Sequence, residues 1–349
     1  MALLLASSII GLAACGSSGS SSSSESTSEQ NATESNGGSE TTAAAGGGSI
    51  AGKTVAVVSA PSSENPWTGV FNETIEKELG DKGVEVSVTG SLDPATQVQF
   101  LNQAVAENPD LIILEALDSK AVAPAIAKAK AQGVPVLNAD GKADPSVEDG
   151  LNQVLSDNVS LGEFAAENIV EGLEAEGKKS GNIGVITGTA SMLLTQERME
   201  GFNKVLSEHP QYKIVFEQDG NWEPVKAGEI ATQMFAKYGA DGLQGAYGMA
   251  DYMAVPIVTA AKQAGVPLGV KNDGLIISGG NCFKIGIEAI EKGEMYGTAT
   301  EDPGTLAKQA SAYAAKMLAG EEVPLTETVE EARVDPSSLS KYKAQCSKA

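Results

Sequence analysis

Residues 53–59, Lys-Thr-Val-Ala-Val-Val-Ser, run into Ala60-Pro61-Ser62-Ser63-Glu64-Asn65-Pro66-Trp67-Thr68-Gly69-Val70, and the turn between them organises the chain. The first seven residues are short, apolar and β-branched, the pattern of a strand buried on both faces. Asn65 then falls in a helix N-cap slot, with Pro66 at the first helical position, where its missing N–H costs nothing. In an open parallel sheet, ligands bind beyond the carboxyl ends of the strands, so this turn aims an amide and an indole at a crevice. The plainer reading keeps Asn65 as a cap and Trp67 as packing.

Outward from that turn the same grammar repeats. Further strands are expected at 84–89, 111–114 and 134–138, with helices beginning near Pro66, Pro94 and Ser119; Asp93-Pro94 is again a cap followed by a first-turn proline. A second set follows Ser156-Asp157-Asn158, with strands near 182–187, 213–217, 242–246 and 268–270 and helices near 161–176, 194–208, 223–238 and 251–264. Buried parallel strands with crossover helices give an α/β layer structure. Two units of one plan suggest two lobes with a site between them. The tail carries a helix near 283–292, a strand near 296–300, a helix near 304–319 and a last extended stretch, too little for a third domain, and is expected to complete both lobes by crossing between them.

The front of the chain reads differently. The apolar run 1–14 is too short to span a bilayer and ends in Leu12-Ala13-Ala14-Cys15, the pattern of an export signal closed by a lipidated cysteine. No Lys or Arg precedes the run, so either the start lies upstream or the signal is a weak one. Residues 16–48 are a Ser, Gly, Thr and Glu tract that cannot bury enough surface to fold, as expected of a tether behind an anchored Cys15.

At 349 residues, two domains are the natural expectation, and 46 acidic against 24 basic residues, a formal net charge of −22, disfavour nucleic acid and anionic membranes as partners. Enzyme readings lack parts. The single histidine, His209, precedes Pro210 at a helix end, so no His-based triad or multi-His metal site can be assembled. No Gly-x-Gly-x-x-Gly follows the first strand, and Gly172 to Lys179 only approximates a phosphate loop, trailing a helix instead of opening one. No cofactor or metal is expected. Cys282 and Cys346 lie far apart in sequence; in an exported protein they read as a disulfide fastening the tail to the second lobe, or else as two buried thiols.

Asn65-Pro66-Trp67, Ser156-Asp157-Asn158, Gln196-Glu197-Arg198-Met199-Glu200-Gly201-Phe202, Asp251 at the head of its helix, Asn272-Asp273-Gly274 and Thr300-Glu301-Asp302-Pro303 together form a further pattern. Their order and spacing resemble the bacterial ABC-transporter solute-binding proteins of the ribose-binding, periplasmic-binding type I family, over roughly residues 53–334. The resemblance implies two similar open parallel-sheet lobes joined by a three-strand hinge, with the ligand enclosed between them. It also implies Asn65, Trp67, Asp140, Gln196, Trp222, Asp273 and Glu301 as ligand-binding residues.

Those side chains suit a polyhydroxylated ring. Ionised Asp140 and Asp273 accept from neighbouring hydroxyls, Asn65 donates and accepts, and Trp67 and Trp222 offer flat faces to C–H groups. The alternative leaves the aspartates as turn and cap residues. Against the ribose-binding pattern, Gly141 stands where an arginine follows the first aspartate, Gln196 aligns with a second arginine, Ala250 with an asparagine and Glu301 with a glutamine. Unless Lys142 or Lys271 restores positive charge, the site favours a donor-rich ligand, a neutral polyol or even a cation.

The resulting expectation is a lipid-anchored extracytoplasmic binding protein, a monomer that is not an enzyme. It captures a monosaccharide or related polyol by hinge closure and presents it to an ABC permease. A sugar or quorum-signal sensor receptor is the alternative, and an α/β enzyme stands behind both. A sugar-responsive repressor would need a basic helix-turn-helix before the first strand, where only the Ser/Gly tract stands. The domains are expected as signal 1–14, lipidated cysteine and tether 15–52, lobe 1 at 53–158 plus about 302–328, and lobe 2 at 159–301 plus about 329–349.

Overall fold

The computed structural model describes residues 48–63 and 65–346; the signal, Cys15 and most of the tether lie outside the described residues. The quoted stretch forms strand β1 (Thr54–Ser59) and helix α1 (Pro66–Gly80), and Asn65 caps that helix by accepting from the Trp67 and Thr68 backbone N–H groups at 2.9 and 3.1 Å. Then follow β2 (Glu85–Gly90), α2 (Pro94–Glu107), β3 (Leu111–Leu114), α3 (Ser119–Gln132), β4 (Val136–Asp140) and β5 (Asn152–Ser156). Asp93 repeats the cap, its side chain accepting from the Thr96 N–H at 2.7 Å.

The second half contains α4 (Asn158–Ala175), β6 (Gly181–Thr187), α5 (Leu193–Glu208), β7 (Tyr212–Asp219), α6 (Pro224–Tyr238), β8 (Gly245–Gly248), α7 (Asp251–Gln263) and β9 (Ile276–Ser278). The tail adds α8 (Lys284–Glu291), β10 (Thr298–Ala299), α9 (Pro303–Leu318), β11 (Thr326–Val329), β12 (Arg333–Val334) and α10 (Leu339–Cys346). Among the described residues no helix is long and apolar enough to cross a membrane.

The first sheet is parallel throughout in the order β11-β5-β4-β3-β1-β2, and the second in the order β7-β6-β8-β9. Removing β5 and β11 leaves the same strand order in both, with the first strand of each set second from the edge. The pleat divides the first sheet's residues. Val55, Val57, Leu111 and Ile113 pack with Phe71, Ile75 and Leu79 of α1 on one face, while Val58, Ile112 and Leu114 pack with Leu101 and Ile126 on the other. The first sheet is therefore covered by helices on both faces, which is why its inner strands are continuously apolar.

The chain passes between the sheets after β5, after β10 and between β11, which joins the first sheet, and β12, which pairs antiparallel with β10. The crossing at Asp157-Asn158 leads into α4, which packs against α5 at very short range. A Cβ added at Gly162 would meet the Arg198 carbonyl at 1.8 Å, and one at Gly201 would meet the Val159 carbonyl at 1.9 Å. Glycine at both positions brings α5 against α4 and delivers Arg198 to the crossing.

Two expectations need correction. The strand placed at 268–270 is a single bridge at Leu268 followed by a 3-10 turn, Val270–Asn272, because Gly269 takes φ +74 and breaks the extended run; the strand is β9, Ile276–Ser278. The tail does not end extended, since α10 closes it.

Candidate functional site

The carboxyl ends of the strands in both sheets converge on one small cavity. Its lining follows strand order: Asn65 and Trp67 after β1, Glu115 after β3, Asp140 ending β4, Met192, Leu194 and Arg198 after β6, Trp222 after β7, Tyr252 after β8 and Asn281 after β9. That is the crevice expected at the strand ends of an open sheet, here shared by two sheets facing each other.

Trp67 stacks on Phe71 with ring centroids 5.0 Å apart and donates its indole N–H to Glu301 Oε1 at 2.9 Å. Glu301 also accepts from the Asn281 amide and sits 3.4 Å from an Arg198 guanidinium nitrogen. Arg198 donates through Nε to Asn158 Oδ1 at 2.8 Å and through a terminal nitrogen to the Met249 carbonyl at 3.1 Å, and its guanidinium lies 5.2 Å from the Trp222 ring centre. The Trp222 indole N–H is spent on Met192 Sδ at 3.1 Å. The donors of both indoles are therefore committed within the protein.

Acceptors are left over. Asp140 Oδ1 and Asn281 Oδ1 are buried without a hydrogen-bond partner, one in each lobe, at residues only 4% and 2% exposed. Both residues have positive φ, 71° and 79°. Glu115 adds a third acceptor group: one carboxylate oxygen takes the Ala60 N–H at 3.0 Å, and Gln97 fixes its backbone by donating to the Glu115 carbonyl and accepting from the Leu117 N–H, each at 2.9 Å.

Burial dominates the electrostatics. It pushes the Glu115 carboxyl up to about 8, with the Asp140 charge adding to the effect. It raises Asp140 too, against the pull of Arg198, and holds Glu301 well above the usual carboxylate range despite the same arginine. Glu331, behind the site, is pushed to about 8. Arg198 is the one cation among the lining residues. Burial works against its charge, but Glu301, Tyr247, Asp140 and Tyr252 together more than offset it.

The two lobes touch at the rim. Ser191 donates to the Leu117 carbonyl at 3.3 Å, Lys142 pairs with Glu197 at 2.7 Å, and a Cβ added at Gly141 would lie 3.2 Å from Leu194. The structure is a closed one.

Of the residues singled out in the sequence, Asn65, Trp67, Asp140 and Trp222 line the cavity and Glu301 braces it from behind. Gln196 and Asp273 do not reach it. Gln196 lies on the exposed side of α5 and donates to the Ala190 carbonyl, because the helical turn directs Arg198, two positions on, into the site instead. Asp273, 74% exposed, pairs with Lys178 at 2.7 Å beyond the 3-10 turn. Lys142 is held by Glu197 and Lys271 lines a different surface groove, so neither adds charge to the cavity lining. Glu115, Tyr252 and Asn281 are additions; the signal for Glu115 was its place as the first polar residue after the buried strand Leu111–Leu114.

Cys282 and Cys346 are joined by a disulfide, with Cα atoms 4.7 Å apart. Among the described residues there is no group of three or more His, Cys, Asp or Glu side chains that could hold a metal ion.

A model of the periplasmic binding protein domain matches residues 55–322. The ribose import binding protein RbsB of Haemophilus influenzae is 24% identical over 277 residues, 79% of this chain and 89% of that protein. An ABC transporter periplasmic solute binding protein from Actinobacillus succinogenes, solved with bound D-allose, superposes with a TM-score of 0.72 at 26% identity, over 83% of this chain and 100% of the other. The Caulobacter myo-inositol binding protein, solved with myo-inositol, shares the fold with a TM-score of 0.75 at 22% identity, over 83% and 95%.

Proposed function

The chain belongs to the periplasmic binding protein family, and from that membership we propose that it is the extracytoplasmic solute-binding protein of an ABC importer, taking a monosaccharide or related polyol. One observation carries the ligand class: Asp140 and Asn281 each leave a buried acceptor without a partner, and they do so from opposite sides of one cavity. Orphaned acceptors of this kind are costly unless a ligand supplies the hydrogens. A polyol presents a hydroxyl to each, and Trp67 and Trp222 supply apolar faces for its C–H surface. Because the ligand touches both lobes only when they are shut, binding shifts the population toward the closed form, which is the form a permease would recognise. Nothing in this cycle makes or breaks a covalent bond.

Residues 53–158 with about 302–328 would move as one lobe and 159–301 with about 329–349 as the other. Export and a lipid anchor at Cys15 complete the reading, with the acidic surface and Ser/Gly tract suited to a tethered monomer outside the membrane. Cys15→Ser should release the protein from membranes, and gel filtration should give a single-chain mass.

Thermal shift of the chain lacking the anchor, against D-ribose, D-allose, myo-inositol, other neutral pentoses, hexoses and polyols, sugar phosphates and amines, tests the function. A sugar or polyol at a hundred times its Kd adds about 2.7 kcal/mol to stability and is recovered unchanged. Response to amines alone, or chemical conversion of the sugar, overturns the reading.

A further inference from the structure

We propose that the Cys282–Cys346 disulfide is a positioning element of the binding site, holding Asn281 in the conformation that aims its carbonyl oxygen into the cavity. As a statement about ligand affinity this rests on the function proposed above; as a statement about Asn281 it does not.

Asn281 and Cys282 are consecutive non-glycine residues with φ of 79° and 57°. Asparagine tolerates the left-handed region, but cysteine gains nothing there, and such conformations persist only where their surroundings over-determine them. Asp251 anchors both flanks. Its backbone N–H donates to the Gly280 carbonyl at 2.7 Å, and its carboxylate accepts from the Phe283 N–H at 2.7 Å and the Thr298 hydroxyl at 2.7 Å. Between those anchors, the bond from Cys282 to Cys346 pins the second left-handed residue covalently.

The other end of that bond is informative. Cys346 is the one residue of α10 that is fully buried, and it packs with Cys282, Ile287 and Val334, while Leu339 and Tyr342 are only partly covered. An ion pair from Lys343 to Glu291 also joins α10 to the lobe. A helix that buries so little is itself held by this bond, which by the same link ties the Asn281-Cys282 segment to the tail. At that end Asn281 donates to Glu301, which in turn accepts from Trp67, so the placement of Cys282 bears directly on the cavity wall. The disulfide thus lies at the start of a continuous path from the tail to an indole in the cavity wall.

Cys346→Ala, made in the native background and in an Asn281→Ala background, tests this. The affinity is measured with whichever of D-ribose, D-allose and myo-inositol gives the largest thermal shift, and tryptophan emission is recorded without any sugar. Loss of the disulfide should weaken affinity about tenfold in the native background and less than about twofold when Asn281 is already gone, because the two changes act on one contact. It should also shift the Trp67 contribution to the emission in the native background only. A lowered melting temperature with affinity and emission unchanged would make the disulfide a plain fastener of the tail and overturn the proposal. Equal losses in both backgrounds would overturn it too, since the effect would then bypass Asn281. If Cys346→Ala does not fold, a phosphine reductant applied to the folded proteins below their melting temperature gives the same comparison. If no sugar binds at all, the functional reading fails and the emission data alone decide the role of the disulfide.

Discussion

Trp67 donates its indole N–H to Glu301 across 2.9 Å, tying the first helical turn of one lobe to a crossing segment 234 residues away. Glu301 sits where the chain returns from β10 to α9, so the contact links a wall of the cavity to the hinge. The same carboxylate takes the Asn281 amide and faces Arg198, so three site residues depend on it.

Removing that carboxylate leaves Arg198 buried without its nearest counter-charge. Glu301→Ala should cost about 3–5 kcal/mol of unfolding free energy, the usual penalty for breaking one side of a buried pair. Glu301→Gln removes the same counter-charge but keeps an acceptor for Trp67, so it should cost less by about one hydrogen bond, about 1 kcal/mol. Urea denaturation of both variants checks the order, and equal losses would show that the charge, not the hydrogen bond, carries the effect.

The raised carboxyls set the direction of the pH dependence. Glu115 has an ordinary value of 4.5 and stands at about 8 in the folded chain, so its contribution to stability is fully present below about 4.5 and is lost as pH rises through 8. Glu331, at about 8, and Asp251, at about 7, act in the same sense. The sugar-free protein should therefore melt lower at pH 9 than at pH 6. Glu115→Gln should raise the melting temperature at pH 9 by about 3 °C or more and change it little at pH 5. A melting profile unaltered by this substitution would place the titration elsewhere.

The architecture was legible because buried parallel strands leave an unmistakable apolar signature, and because cap-and-proline pairs such as Asn65-Pro66 and Asp93-Pro94 mark helix starts independently of it. The cavity lining was legible where a polar residue stands at or shortly after the end of a correctly located strand, as at Asn65 and Asp140. It failed where the strand was misplaced. Setting a strand at 268–270 drew attention to Asp273, whereas the real strand end, at Ser278, leads to Asn281. Gln196 was wrong by two positions on a helix, which is more than half a turn and so the opposite face. Tyr252 was passed over although it stands beside Asp251 at the head of α7, and Glu301, named through the resemblance, braces the site by accepting from Trp67.

Asp140 poses function against stability. Its Oδ1 is buried without a partner and burial raises its pKa, so the carboxylate costs the empty protein something. Asparagine fits the same left-handed backbone, at φ 71°, without the charge. Asp140→Asn should hold or raise the melting temperature of the sugar-free protein while weakening sugar affinity by about tenfold to a hundredfold, the range for losing a charge-assisted bond. Calorimetric titration beside a melting curve reads both, and affinity equal to that of the native protein would remove Asp140 from the contact surface.

Gly141 governs how far the lobes can shut. A Cβ there would stand 3.2 and 3.3 Å from the Cδ2 and Cβ atoms of Leu194, which rides on the helix that also carries Arg198. Valine at 141 adds two methyl groups beyond that Cβ, and in the closed form they have no room unless Leu194 retreats. The open form is under no such constraint, so Gly141→Val should fold normally yet weaken sugar affinity about tenfold, since the ligand must then work against the population of the closed state. Small-angle scattering should show less compaction on adding sugar than in the native protein. Leu194→Ala in the same chain returns the space, and should recover both compaction and much of the affinity. If Gly141→Val binds as tightly as the native protein, or if Leu194→Ala fails to rescue it, the approach of Gly141 to Leu194 does not limit closure.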